Sequence, residues 1–265
     1  MTILGILNVT PDSFSDGGLF LRPEKALAHA EALIEAGADI IDIGGESTRP
    51  GAQAVGRDEE CDRVIPVVEA LHRRFATPIS VDTSDPVVME QAVGAGAAFI
   101  NDVRALTRPG ALATVARLGV PVCLMHARAE STMIGRPVAG QDVVAEVRTY
   151  LEGRRDAARA AGIAQDAIVI DPGFGFGKDV QENRALLRGL PQLTGLAPVL
   201  IGLSRKRMTG EPWDLPVDAR LHTSVALALA GIKGGARIVR VHDVRATREA
   251  VRAWEWVFEP KEWVA

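Results

Sequence analysis

The sequence predicts an α/β fold, a single (β/α)8 barrel of eight parallel strands that are each followed by a helix. Short apolar runs bounded by Gly, Pro, Asn or Asp alternate eight times with longer segments of helical period. The strand runs lack polar alternation, which indicates a parallel sheet covered on both faces. The length of 265 residues is usual for one such barrel. We therefore predict one domain over residues 1–265 and favour the barrel over a doubly wound sheet.

The predicted elements follow one another in βα order along the chain. The strands are expected at residues 3–8, 39–43, 78–82, 98–102, 120–125, 168–171, 199–203 and 237–241. The helices are expected at residues 23–36, 57–75, 86–95, 109–118, 142–161, 180–190, 218–233 and 244–257.

Proline and glycine mark several of the predicted helix ends. Pro23, Pro86 and Pro109 are predicted to open helices, because a residue of the first turn needs no partner for its N–H group. Glycine is predicted to close helices in three similar joints. These joints are EAGAD at 35–39, GAGAA at 94–98 and GGARI at 234–238.

Composition excludes several classes of protein. The chain is 47% apolar and 24% charged, which is typical of a globular protein rather than a disordered or fibrous one. The longest run without charge, residues 189–204, has sixteen positions and two prolines, whereas a membrane-spanning helix needs about 20 apolar residues. The first basic residue is Arg22, so a secretory signal is not expected. We expect no membrane partner and a cytoplasmic protein.

Cysteine use and net charge point away from metal cages and polyanions. Cys61 and Cys123 do not form a CxxC pair, so we expect no disulfide framework and predict two buried thiols. The net charge of −4 and the lack of a basic run argue against a nucleic-acid partner. Any bound anion must therefore meet locally placed cations. Only five of the basic residues are lysines, and Lys178 and Lys206 both follow strand-like runs.

Polar side chains follow almost every predicted strand. In a parallel barrel these positions surround the mouth, the rim at the carboxyl ends of the strands where active sites lie. Asp82, Asn101 and Asp171 together favour a ligand with several donors, such as a flat heterocycle with an amide edge. The full set is Asn8, Asp42, Asp82, Asn101, Asp102, His126, Asp171, Ser204, Arg205, Lys206, Arg240 and His242.

A cationic group is predicted beside these acids. Lys206, Arg240 and His242 follow the last two strands and suit a phosphate-like group or a carboxylate. The alternative for Arg240 and His242 is a surface ion pair with Asp243.

Some polar residues near the mouth have a simpler explanation. Ser84, Asp85 and Asp102 are equally well explained as caps of helix N-termini.

The loops at 8–18 and 44–52 are longer than usual strand-to-helix connections and are rich in Gly, Ser and Asp, which is typical of lids.

The segment DPGFGFGK at 171–178 resembles a phosphate-binding loop but does not fit one. Its glycine spacing matches neither the P-loop nor the dinucleotide fingerprint, so ATP and NAD are poorly supported. Two alternatives stay open for Phe174 and Phe176. Either they lie over a bound ring or they only fill the barrel mouth.

Seven motifs together resemble one enzyme family. GILNVTPDSFSDGG, GGESTRPGA, ISVDTS, NDV, DPGFGFGK, SRK and RVHDV occur in the order typical of bacterial dihydropteroate synthases, over nearly the whole chain. The resemblance implies a pterin-binding barrel that joins dihydropterin pyrophosphate to p-aminobenzoate and releases pyrophosphate. It also implies Mg²⁺ as cofactor and a homodimer. The electron-rich dihydropterin ring can spread positive charge, which favours a reaction that begins with ionisation. Trp213 lies in a stretch that departs from the family pattern, and we expect it to pack at the dimer interface.

The resemblance assigns roles to individual residues. It implies Asp82, Lys206 and Arg240 as catalytic. The implied pterin-binding set is Asp82, Asn101, Val103, Met125, Asp171, Phe176, Gly202, Lys206 and Arg240. Asn8, Arg240 and His242 are implied to bind pyrophosphate, with Asn8 also holding the metal. The implied p-aminobenzoate pocket comprises Thr48, Arg49, Pro50, Phe176, Lys206 and Arg207.

One further expectation and two alternatives accompany the resemblance. The stretch GFGFGKD lacks the insertion of sulfonamide-insensitive relatives, so we expect ordinary sulfonamide sensitivity. One alternative is a pterin-barrel methyltransferase that passes a methyl group to a corrinoid, but STRPG and RVHD argue against it. The other is a non-catalytic pterin-binding homologue, which intact Asn8, Arg49, Lys206, Arg240 and His242 make a poor fit.

Overall fold

The computed structural model describes residues 1–9, 23–46, 55–128 and 142–258. Eight parallel strands form a closed barrel in the order β1 to β8, and β1 pairs with both β2 and β8. The predicted (β/α)8 barrel is therefore confirmed.

The strands and helices lie close to their predicted positions. The strands are β1 Thr2–Asn8, β2 Ile40–Gly44, β3 Ile79–Asp82, β4 Phe99–Asp102, β5 Val122–Met125, β6 Ile168–Asp171, β7 Val199–Ile201 and β8 Ala236–Val241. The helices are α1 Pro23–Glu35, α2 Arg57–Arg74, α3 Pro86–Gly94, α4 Ala111–Leu118, α5 Val143–Ala160, α6 Val180–Arg188, α7 Leu221–Lys233 and α8 Val244–Phe258.

Several of these elements are shorter than predicted, and the structure shows a local reason in β7 and α7. Strand β7 ends at Ile201 rather than at residue 203, and a register shift at Val199/Leu200 interrupts its pairing with β8. Helix α7 begins at Leu221 rather than at 218, because a 3₁₀ turn occupies Val217–Ala219.

Two apolar layers explain why the strands lack polar alternation. Residues two apart on a strand point to the same face of a sheet. One face of each strand packs under the helices in the main core. The other face fills the barrel interior with a separate cluster, the barrel plug, made of Leu4, Phe99, Cys123, Val169 and Leu200.

The inward-facing positions become polar toward the mouth. On β4 the plug residue Phe99 is followed two positions later by Asn101, and on β6 Val169 is followed by Asp171. The parallel register keeps these second positions level, since Asp82 pairs with Asn101. The fold therefore stacks a polar layer on an apolar plug.

The glycine joints adopt the backbone that the sequence predicted. Gly37, Gly96 and Gly235 all lie in the left-handed region, with φ of 100°, 113° and 100°. These turns end α1, α3 and α7 and lead into the next strand. Glycine suits them because it carries no Cβ to clash in this conformation.

Three local expectations can be compared with the structure. Pro23 and Pro86 begin helices as predicted. The expectation for Pro109 is wrong, because Gly110 at φ 86° separates it from α4.

Cys123 is buried as expected, but Cys61 is only partly buried. Among the described residues, no helix is long and apolar enough to cross a membrane.

Gly96 provides a test of the joint geometry, with Gly94 as a control two residues away. A Cβ at Gly96 would clash with the ring of His72, whereas a Cβ at Gly94 meets nothing within 4 Å. We predict that Gly96→Ala lowers the free energy of unfolding by at least about 2 kcal/mol, because strain adds to the clash. Gly94→Ala should be neutral or stabilise by up to about 1 kcal/mol. Urea unfolding curves measure both, and equal effects would contradict the prediction.

Candidate active site

One guanidinium is shared by two carboxylates at the centre of the polar layer. Nε of Arg240 on β8 donates to Oδ2 of Asp42 on β2 at 2.5 Å, and Nη2 donates to Oδ2 of Asp82 on β3 at 3.0 Å. Asp42 is completely buried and also accepts from Ser80 Oγ at 2.5 Å and Asn101 Nδ2 at 3.3 Å. Side chains from β2, β3, β4 and β8 are thus joined directly above the plug.

The shared cation leaves this group short of positive charge. Burial raises the pKa of Asp82 to about 7, and Arg240 offsets only part of that rise. Arg240 is divided between two acids, and the charge of Asp42 raises the pKa of Asp82 further. Burial acts to lower the pKa of Arg240, but the two carboxylates hold it above its usual value. Asp82 can therefore gain or lose a proton near neutral pH.

Asp171 and Lys206 form the second charged part of the mouth. Asp171 is buried, and its Oδ1 accepts the N–H of Gly173 at 2.7 Å. Burial raises the pKa of Asp171, and the charge of Lys206 opposes this rise. Burial lowers the pKa of Lys206 to about 8, opposed by Asp171. The two groups therefore stabilise each other's charged form.

Lys206 also contacts the loop after β6. Its Nζ donates to the carbonyl oxygen of Phe174 at 2.5 Å and lies 4.5 Å from the ring centroid of Phe176. Phe174 is fully buried in the main core, whereas Phe176 is partly exposed beside the ammonium. Phe174 is therefore a core residue, and the interpretation that Phe176 lies over a bound ring stays a prediction.

Three other residues of the predicted pterin set lie around the same space. Gly202 lies between the two cations, since a Cβ there would be 3.7 Å from Nζ of Lys206 and 3.9 Å from Cβ of Arg240. Its missing side chain leaves room beside both charges. Met125 is buried in register with Asp171, and Val103 is partly buried just after β4.

The predicted pyrophosphate residues follow β1 and β8, which are neighbours in the barrel. Asn8 ends β1 and is partly buried. His242 follows β8, where its backbone N–H donates to Ser204 Oγ at 3.2 Å and its Nδ1 lies 3.0 Å from the same oxygen. The serine hydroxyl therefore orients the imidazole ring.

The alternative of a surface ion pair between Arg240 and Asp243 is wrong. Asp243 pairs instead with Arg205, with Nη2 and Oδ1 2.5 Å apart. Arg240 faces the barrel interior because its position on β8 has the same parity as the plug residues below it.

Part of the predicted p-aminobenzoate pocket lies outside the described residues. Thr48, Arg49, Pro50 and most of the two long loops belong to this part. The side chain of Arg207 is exposed, and its Nε donates to Glu211 at 2.8 Å. Among the predicted pocket residues that the structure describes, Phe176 and Lys206 contact each other.

The helix-capping explanation is confirmed for Asp85 but is wrong for Ser84 and Asp102, because Asp85 itself is the N-cap of α3 and Gly110 is the N-cap of α4. Asp85 caps α3 by accepting the N–H of Val87. Asp102 accepts the N–H groups of Arg104 at 2.8 Å and Leu106 at 2.7 Å, and the hydroxyl of Ser84 donates to it as well. The side chain of Asp102 therefore holds its own loop.

Sequence reasoning missed the central position of Asp42. It was noted as a polar strand-end residue but was not assigned to the ligand set. The signal was strand parity, because Asp42 faces inward two residues after Ile40, whose side chain packs against the plug.

His126 belongs to the polar set predicted at the mouth, but its contacts are structural. It is buried, with Nε2 3.3 Å from Glu146 and its ring edge against Tyr150, so it supports the barrel wall.

Comparison with known proteins identifies the family. The family model described as "Pterin binding enzyme" matches residues 4–242. The chain is 49% identical over 255 residues to the dihydropteroate synthase of Haemophilus influenzae, covering 96% of this chain and 92% of that protein.

Solved structures agree with the sequence comparison. The Xanthomonas albilineans dihydropteroate synthase with 4-aminobenzoic acid superposes with a TM-score of 0.91 at 52% identity, covering 98% of this chain and 94% of that one. The same enzyme in complex with 7,8-dihydropteroate gives a TM-score of 0.89 at 48% identity with the same coverage. The chain therefore belongs to the family of pterin-binding enzymes that includes the dihydropteroate synthases.

Proposed function

We propose that the protein is a dihydropteroate synthase, which joins 7,8-dihydropterin-6-ylmethyl diphosphate to p-aminobenzoate and releases pyrophosphate. One observation carries this proposal. An acid and amide group lies directly beside the cations Lys206 and Arg240. Its members Asn101 and Asp171 are buried, and Asp82 is partly buried. The acids suit the N–H edge of a pterin, and the cations suit its anionic tail. We further propose that the chain acts as one cytoplasmic barrel domain.

The carboxylates orient the pterin ring. Asp171 is placed to accept from the ring's amino and imino groups. Asp82, whose pKa is near neutral, is able either to accept or to donate a hydrogen bond to the heterocycle. The amide of Asn101, which carries both a donor and an acceptor, adds further specificity. Buried polar groups of this kind reject a ligand that leaves them unpaired.

The reaction then follows from the charges around the ring. The bond between the methylene carbon and oxygen breaks, and its electron pair leaves with the diphosphate. The electron-rich ring spreads the positive charge, while Asp82 and Asp171 add a negative field. Arg240 and His242 stabilise the departing anion. The neutral arylamine nitrogen attacks the carbon and afterwards releases one proton to solvent.

Mg²⁺ fits the residues at the diphosphate end. Asn8 offers one hard amide oxygen, and the described part of the chain holds no group of three or more His, Cys, Asp or Glu that could bind a metal. This donor set suits a magnesium ion held mainly by diphosphate oxygens and water, since Mg²⁺ usually keeps several such ligands. When bound, the ion would neutralise charge on the leaving group. Asn8 would hold it at the mouth.

The p-aminobenzoate pocket is proposed on the other side of the mouth. Lys206 supplies a cation and Phe176 an aromatic face, and we propose that Thr48, Arg49, Pro50 and the backbone of Arg207 complete the pocket. Binding of this acceptor last would keep water from the cationic intermediate. Sulfonamides resemble p-aminobenzoate and should compete for the same pocket.

The direct test of the function is coupled product formation. With Mg²⁺ and dihydropterin pyrophosphate, pyrophosphate release should require p-aminobenzoate, and mass spectrometry should detect dihydropteroate. Chelation of the metal with EDTA should abolish the release, and added Mg²⁺ should restore it. Pterin binding without product would contradict the proposal and favour a methyltransferase or a silent binding protein.

Lys206→Ala should weaken binding of the acceptor. Loss of a charge-assisted hydrogen bond costs about 1.5 to 3 kcal/mol, so we predict a fall in kcat/KM of about tenfold to one-hundredfold. Because the pKa of Lys206 is about 8, its charge is lost as pH rises through that value. The KM of the unchanged enzyme for p-aminobenzoate should therefore rise above pH 8, and that of the variant should not. Lys233→Ala, at the far end of α7, is the control.

We also propose that the protein forms a homodimer through α7. This helix is apolar on nearly all sides, and Val225, Ala226 and Leu229 line a groove on its outer face together with Ala250 of α8. A helix that is hydrophobic all round is normally buried. Trp213, which is 54% exposed, gives further apolar surface before α7.

Sedimentation analysis tests the dimer. The molar mass measured by sedimentation should be twice the 28.2 kDa of one chain. Ala226→Glu places a charge on the exposed groove and should yield a folded monomer. A monomeric unchanged protein would refute the interface.

A further inference from the structure

Lys178 is buried inside the glycine-rich loop after β6, and the proposed reaction does not use it. Only 6% of the residue is exposed. Its Nζ donates to the carbonyl oxygens of Gly173 at 2.9 Å, His126 at 3.3 Å and Phe176 at 3.3 Å. An ammonium group has three N–H donors, so all three are matched by backbone acceptors. Lys178 therefore fills a cage made of carbonyl groups.

The cage is built from an unusual backbone. Gly173, Gly175 and Gly177 all have left-handed φ angles, of 69°, 83° and 68°. Such residues have wide conformational freedom, so a loop with three of them loses much entropy when it becomes ordered. Specific contacts must offset this loss. The Lys178 ammonium is well placed to do so, because it joins two points of the loop to the end of β5.

The glycines also allow close approach of neighbouring groups. A Cβ at Gly173 would clash with the carbonyl oxygen of His126, and one at Gly177 would lie 2.5 Å from Cβ of Arg128. At Gly175 a Cβ would lie 3.1 Å from Cδ of Lys206. The loop is thus packed between the β5 end on one side and the Lys206 side chain on the other.

This packing links Lys178 to the charged mouth. The loop residue Phe174 supplies the carbonyl oxygen that accepts from Nζ of Lys206, and Phe176 supplies the ring beside the same atom. Each phenylalanine lies between two of the glycines. Phe174 follows Gly173, whose carbonyl oxygen accepts from Lys178, and the carbonyl oxygen of Phe176 accepts from Lys178 as well. A change in the loop would therefore displace the two groups on the acceptor side of the mouth. Asp82 and Asn101, on β3 and β4, would not be affected directly.

The buried charge is costly for a purely structural role. Burial lowers the pKa of Lys178 to about 7, so the surroundings disfavour its ammonium form. A buried charge stabilises a protein poorly compared with apolar packing of the same volume, but it can specify one conformation. The geometry points to such a specifying role at this loop.

We propose that Lys178 is a positioning residue, whose ammonium holds the loop at residues 173–177 in the one conformation that places Lys206 and Phe176 for p-aminobenzoate. This proposal rests on the proposed function. It assigns Lys178 no contact with either substrate. It predicts a larger defect in binding of the acceptor than in binding of the pterin substrate, which also contacts strand residues outside the loop.

Lys178→Met tests the proposal because methionine keeps most of the side-chain volume without the three donors. We expect the KM for p-aminobenzoate to rise about tenfold or more, from the loss of charge-assisted bonds. The Kd for dihydropterin pyrophosphate should rise less than this KM, because Asp82, Asn101 and Arg240 lie on strands and have no contact with the loop in the described hydrogen bonds. Lys178→Gln keeps two donors and should show a smaller rise, which also covers the case in which Lys178→Met does not fold.

Chemical rescue separates positioning from loss of stability. In Lys178→Ala, n-propylammonium matches the atoms removed and should lower the KM for p-aminobenzoate toward its original value. Tetramethylammonium, which has no N–H donor, should not. Arg248→Ala is the matched control, because Arg248 also donates to the carbonyl oxygen of a left-handed glycine, Gly37, but at the opposite end of the barrel. It should change stability without changing either binding constant.

A second readout does not depend on activity. Amide hydrogen exchange at residues 173–177 should accelerate in Lys178→Met and not in Arg248→Ala. If the unchanged enzyme makes no dihydropteroate, the proposed function fails, but the exchange data still decide the role of Lys178 in the loop. An unchanged KM in a folded Lys178→Met, or unchanged exchange in the loop, would overturn the inference.

Discussion

The sharing of Arg240 between Asp42 and Asp82 is the interaction on which the rest of the site depends. It lies above the apolar barrel plug and joins side chains from β2, β3 and β8. Asn101 of β4 also donates to Asp42. The buried carboxylate of Asp42 and the partly buried one of Asp82 compete for one guanidinium, so this layer carries more negative charge than its cation neutralises. Such an arrangement is unfavourable for folding, because buried carboxylates lose hydration. The large apolar core around the barrel offsets that cost.

The same imbalance accounts for the chemistry proposed at the mouth. In the proposed reaction, a negative field beneath the pterin would stabilise positive charge on the ring, while Lys206, Arg240 and His242 would favour negative charge on the departing diphosphate. The two fields act on opposite ends of the bond that breaks, so the separation of charge requires little rearrangement of the protein. Little acid–base catalysis is needed, since an arylamine is a nucleophile without deprotonation. The demand on the fold is therefore positional, and the loop that Lys178 organises meets it on the acceptor side.

Much of this arrangement was predictable because a parallel barrel imposes two periodicities. Alternation of apolar runs and helical segments predicted the eight units, and polar residues at the strand ends predicted the mouth. Strand parity places Asp42 on the inward face, but the sequence does not show that Asp42 and Asp82 share one cation. Pro109 was misplaced because the left-handed Gly110 lies between it and α4. The two phenylalanines of GFGFG were indistinguishable by sequence, since loop direction, rather than composition, buries Phe174 and leaves Phe176 beside Lys206.

The protonation of Asp82 is the quantity that reports most directly on the shared guanidinium. Carboxyl carbon-13 NMR, assigned by comparison with Asp82→Asn, would follow its titration in the unchanged protein and in Asp42→Asn. The shared charge predicts a pKa near 7 in the unchanged protein. It also predicts a lower value in Asp42→Asn, because Arg240 would then serve Asp82 alone and the neighbouring negative charge would be gone. Titration of Asp82 at the ordinary aspartate value in both proteins would contradict the account.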